Sequence, residues 1–145
     1  MGMYTELIFG ASIKAEGLPE EVLDVLKYLF NYNEITDWQE YYKTQPIKLP
    51  NHPFFKCDRW DIITSCSSYY FAVRNTHRNI EFDEISNTWN CSSRASLKNY
   101  DDDIEQFLDW IKPYIEQGSG ERDFYAIVCY EEQSEPTIYY LKEAE

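Results

Sequence analysis

The chain has 145 residues, and 26 acidic side chains against 13 basic ones leave it with a formal net charge of −13. With 43% hydrophobic and 27% charged residues it has a globular balance, and its length suits one core, so disordered and fibrous classes are excluded and a single domain over 1–145 is expected. The acidic field repels phosphate backbones, which excludes ordinary direct nucleic-acid binding.

The charge is uneven. Residues 1–97 carry 9 basic and 13 acidic side chains, whereas residues 98–145 carry 4 and 13. Aromatic residues make up 17%, with 13 Tyr, 8 Phe and 4 Trp, so several Tyr are expected at the surface as stiff contact area with a polar handle. No segment approaches the roughly 18 apolar residues of a membrane helix, and the start has no basic and apolar leader, so the expected location is cytoplasm. Cys57, Cys66, Cys91 and Cys129 form no Cys-x-x-Cys pair and are expected to be reduced.

In chain order, residues 3–14 place Leu7, Phe9, Ala11 and Ile13 on one face and Ile8 opposite, the pattern of a largely buried strand. Gly17 breaks it, and Pro19 suits a first helical turn. Val22, Val25, Leu26 and Leu29 then recur at helical spacing, so 19–31 is expected to be an amphipathic helix. Pro46, Pro50 and Pro53 forbid a long helix across 32–56, where Trp38, Tyr41, Tyr42, Phe54 and Phe55 offer apolar anchors.

Three strand candidates follow in 66–97: CSSYYFAV, NIEFDEI and TWNCSSRASL. A second helix is expected over about 101–115, with Ile104, Phe107, Leu108, Ile111 and Ile115 as its core stripe and Pro113 tightening its last turn. Asp101, Asp102 and Asp103 stand at its start, where carboxylates can accept free backbone N–H groups. DFYAIVCY and TIYYL make a closing hairpin around Gln133-Ser134-Glu135-Pro136. The fold class is therefore α+β, a mostly antiparallel sheet with two amphipathic helices in the order β-α-β-β-β-α-β-β.

Few patterns suggest chemistry. Asp101, Asp102 and Asp103 with Glu81, Asp83 and Glu84 raise a metal-dependent phosphodiesterase or nuclease, but three consecutive helical carboxylates point in three directions. His52, Cys57, Cys66 and His77 match no zinc spacing. Asp58-Arg59-Trp60-Asp61 reads as a structural ion pair beside an indole. Neither a Gly-x-Ser-x-Gly elbow nor a phosphate-binding glycine loop is present. No catalytic residue, metal ligand or cofactor is therefore assigned.

Three stretches, MYTELIFGASIK (3–14), HPFFKCDRWDIITSCSSYYF (52–71) and SRASLKNYDDDIEQFLDWIKPY (93–114), together with YEEQSEPTIYY (130–140), resemble a family of small proteins encoded by tailed phages and prophages of Gram-positive bacteria. The resemblance implies a viral gene product made in the host bacterial cytoplasm and implies no activity. The resulting expectation is a non-enzymatic acidic protein that binds a host or phage protein, with DNA mimicry as a sharper version. Its expected contact residues are Trp38, Tyr41, Tyr42, Asp101, Asp102 and Asp109.

Overall fold

Strand β1, Thr5–Lys14, is the centre of the fold, because its alternating Leu7, Phe9 and Ile13 leave it apolar enough to be paired on both edges. The computed structural model describes residues 5–30, 46, 48–58, 60–64, 77–99, 102–116, 123–130 and 132–141. Among these, β2 (His77–Asp83), β3 (Thr88–Leu97), β4 (Phe124–Cys129) and β5 (Thr137–Tyr140) complete a five-stranded antiparallel sheet in the order β2-β3-β1-β4-β5. With helices α1 (Glu20–Phe30) and α2 (Asp103–Ile111), the protein is α+β. The strand expected at CSSYYFAV lies outside the described residues.

The register explains how the chain crosses itself. β1 pairs with β3 along its whole length, from Thr5 opposite Leu97 to Lys14 opposite Thr88, and with β4 from Glu6 opposite Cys129 to Phe9 opposite Ala126. Each of α1 and α2 thus carries the chain over the sheet between strands that are not neighbours. The β2–β3 turn is set locally: Asp83 Oδ1 accepts the Ile85 N–H at 2.9 Å, and Asn87 takes a left-handed φ of 56°.

Both helices cover one face of the sheet. Val22, Val25, Leu26 and Leu29 of α1 are fully buried, and its Phe30 ring meets Phe9 of β1 at 5.8 Å. Phe107 of α2 packs edge-on against the same Phe9 at 5.2 Å. The 3-10 turn Pro53–Lys56 inserts Phe54 beside them, 5.4 Å from Phe107 and stacked on Trp110 at 5.9 Å. Phe55 and Trp60 close the cluster, with Trp60 against Tyr28.

One expectation needs correction. Helix α2 ends at Ile111 rather than 115, because Pro113 has no N–H to continue the ladder, and Lys112–Tyr114 tightens into a 3-10 turn. Ile115 remains buried, but as an isolated bridge to Ile13 of β1. Of the Tyr side chains expected at the surface, the described ones are buried or half-buried, Tyr28 and Tyr125 being buried, and the others lie outside the described residues. Tyr130 and Tyr139 can stay half-buried because their hydroxyls bond within the fold.

Candidate interaction surface

Asp102 and Asp109, both expected contact residues, stand at the two ends of α2 and are exposed. Asp102 occupies the position before the first helical residue in a left-handed conformation (φ 55°), and its side chain makes no capping bond. Asn99 supplies a bond there. Its Oδ1 accepts the Ile104 N–H at 3.0 Å, and its Nδ2 donates to both Glu105 carboxylate oxygens, at 3.1 and 2.8 Å. For Asp102 the expected capping role is thus not taken, and an upstream amide accepts the Ile104 N–H instead. Asp103 is buried, so it contributes no surface charge. Asp101, Trp38, Tyr41 and Tyr42 lie outside the described residues.

Glu105 ties the helix to the far hairpin. The Tyr130 hydroxyl donates to Glu105 Oε1 at 2.5 Å and lies 3.2 Å from the Tyr139 hydroxyl. Burial, reinforced by the bond to Glu105, pushes the Tyr130 phenol well above its ordinary value, so it is a permanent donor. Tyr125 is pushed up as well, by burial first and then by Tyr139 and Asp109.

Asp109, whose side chain is 78% exposed, holds His52 from 57 residues away: His52 Nε2 lies 2.9 Å from Asp109 Oδ2. The other ring nitrogen, Nδ1, accepts the Phe54 N–H at 3.0 Å and caps the 3-10 turn. Accepting that bond requires Nδ1 to be unprotonated, which puts the proton on Nε2 and makes it the donor to Asp109. Both nitrogens are committed, so the ring has none left to act as a general base or a metal ligand. This contact fixes the Phe54–Trp110 stack over α2. Its spacing gave no signal, because the partners meet only through the tertiary fold.

The acids weighed for metal chemistry do other work. Hydrogen bonding from the Ile85 backbone N–H, aided by Ser86, holds the Asp83 carboxyl below its ordinary value as part of the β2–β3 turn. Among the described residues no three His, Cys, Asp or Glu side chains come together as a metal site. Of the cysteines weighed for zinc, Cys57 is half-buried, and Cys66 and the His77 side chain lie outside the described residues. Burial pushes the Cys91 thiol up to about 12, which leaves it protonated and a poor nucleophile. Arg59 also lies outside the described residues, while Trp60 beside it is buried in the aromatic cluster. No described helix is long and apolar enough to cross a membrane.

The sequence reading missed the second surface, the sheet face away from the helices. At its margins Glu6 and Ser96 are buried, with Glu6 taking an ion pair from Arg94. Across β3 and β2 it is polar: Ser12 donates to Asn90 at 2.7 Å, and Asn79, Glu81 and Asn90 are exposed. From Ile8 in the middle of β1 across β4 and β5 it is apolar. Ile8 stands opposite Ile127, and Ile127 opposite Ile138. A register shift between Phe124 and Ala126 leaves Phe124 59% exposed beside them. No family model, no curated protein and no solved structure matches the chain.

Proposed function

We propose that the chain is a non-enzymatic interaction protein of a phage or prophage, made in the host bacterial cytoplasm, which binds a host or phage protein through an acidic surface. The observation that carries the reading is α2, which presents Asp102 and Asp109 to solvent with no basic residue between them. A field of that sign steers a basic partner and speeds encounter, while short-range apolar contacts set the lifetime of the complex. The engaged nitrogens of His52 and the protonated thiol of Cys91 support a binding role over a catalytic one. DNA mimicry is the special case in which the partner is a nucleic-acid-binding protein and these carboxylates stand in for phosphates.

The test begins with affinity capture from infected or induced cells, followed by surface-plasmon kinetics with the captured protein. Asp102→Asn and Asp109→Asn should lower the on-rate and its salt dependence, and Trp38→Ala and Tyr41→Ala should raise the off-rate. Rates indifferent to salt and to both sets would remove the proposal.

A further inference from the structure

We infer that the open sheet face over β1, β4 and β5 seats an extended, positively charged segment of the partner protein, a step that rests on the interaction reading above. The exposed face of an antiparallel sheet is ordinarily polar, as it is here across β2 and β3. Among the described residues the row Ile8, Ile127 and Ile138, with Phe124 beside it, departs from that rule, and Ile138 and Phe124 are 42% and 59% exposed. Apolar side chains gathered on a solvent face add nothing to the core and mark a contact surface.

Gly10 supplies an independent sign that a chain approaches. A glycine in a central strand weakens it, and its usual reasons are a bulge, a positive φ or close approach of another group. β1 pairs with β3 in unbroken register from Thr5 to Lys14, and Gly10 is not among the positive-φ residues. A Cβ added at Gly10 would meet nothing within 4 Å, so no packing within the protein requires its absence. The missing side chain opens a recess of about 170 Å³ lined by Ile8, Gly10, Phe124 and Ile127. Close approach from outside is the remaining reason, and an extended backbone fits it.

Charge selects the occupant. Asp123 leads into β4 and exposed Glu132 and Glu135 stand at the β4–β5 turn, so acids lie beyond both ends of β4, while Arg94, opposite Ile8, is neutralised by its ion pair with Glu6. A second copy would bring the same acids, and another charge of −13, against them. A segment alternating basic and apolar side chains satisfies both features.

The test uses the whole chain with a short peptide alternating Lys and Val, and a Glu-Val peptide as control, followed by backbone amide shifts. The Lys-Val peptide should move the amides of Ile8, Gly10, Ile127 and Ile138, and the Glu-Val peptide should not. Gly10→Val should weaken binding about tenfold or more while leaving the melting temperature unchanged or higher. Ile127→Thr, which keeps a β-branched side chain in the strand, should weaken it too. Equal binding of both peptides, full affinity in Gly10→Val, or a dimer in sedimentation that Gly10→Val dissociates would overturn the inference. Lys-Val shifts confined to α2 and abolished by Asp109→Asn would overturn it while leaving the acidic-surface proposal standing. Absence of Lys-Val binding anywhere would count against both.

Discussion

One sheet has two faces here, and large apolar side chains stand on both. Leu7 and Phe9 point toward the helices and are buried, whereas Ile8 between them points away and stays half-exposed. The covered face gains its stability from rings that arrive from three separate segments: Phe30 of α1, Phe54 of the 3-10 turn, and Phe107 and Trp110 of α2. The open face has backbone pairing and an isoleucine row with nothing described above it. Apolarity in a strand therefore does not say whether it serves folding or contact. What covers it decides that.

The sharpest way to break this contrast is to remove a covering ring. Phe54→Ala should cost about 3–5 kcal/mol, since the side chain is fully inaccessible and touches four other rings. Leu108→Ala on α2 should cost about 2–5 kcal/mol by the same mechanism. A denaturation midpoint unchanged in either variant would mean that the helical layer is not packed as described.

Tyr130→Phe should cost about 1.5–3 kcal/mol, because Glu105 loses a hydrogen bond to a charged acceptor. The same residue predicts an alkaline slope. Its proton is held more tightly in the folded state, so the stability it contributes is complete below the ordinary phenol value of 10.0 and is lost as pH rises above it. Cys91 acts with the same sign over a lower window, from the ordinary thiol value of 9.0 toward about 12. Urea midpoints measured across alkaline pH should fall, and Tyr130→Phe should flatten the upper part. A slope identical to wild type would place that phenol in water.

His52→Ala should cost about 0.5–2 kcal/mol through the lost cap on the Phe54 turn. His52→Asn, which can still accept the Phe54 N–H, should recover part of it. Equal losses in the two would show that the ring serves only as packing.

The smallest effects belong to the open face and run the other way. Gly10→Ala should be neutral or stabilising by about 0.5–1 kcal/mol, since the added methyl meets nothing and the unfolded chain loses freedom. Thiol labelling of the native protein gives a companion measurement: Cys129, half-buried on this face opposite Glu6, should react before Cys91 on the covered face. The reverse order would exchange the two faces.

The fold class and the interiors of β1, α1 and α2 could be read directly from the chain, because periods of two and of 3.6 residues record which side of a local element is apolar. The left-handed turn at Gly17 (φ 75°) was likewise a local property of a single residue, whereas the end of α2 at Ile111, four residues short of the expected one, was not. The tertiary structure alone decided that Asn99 rather than Asp102 accepts the Ile104 N–H at the start of α2, that His52 spends both nitrogens on Phe54 and Asp109, and that Ile8, Ile127 and Ile138 form one row. Each of these joins residues separated along the chain, or depends on which face two helices happen to cover. Periodicity fixes the sides of an element, but only the packing of distant elements fixes which side meets water.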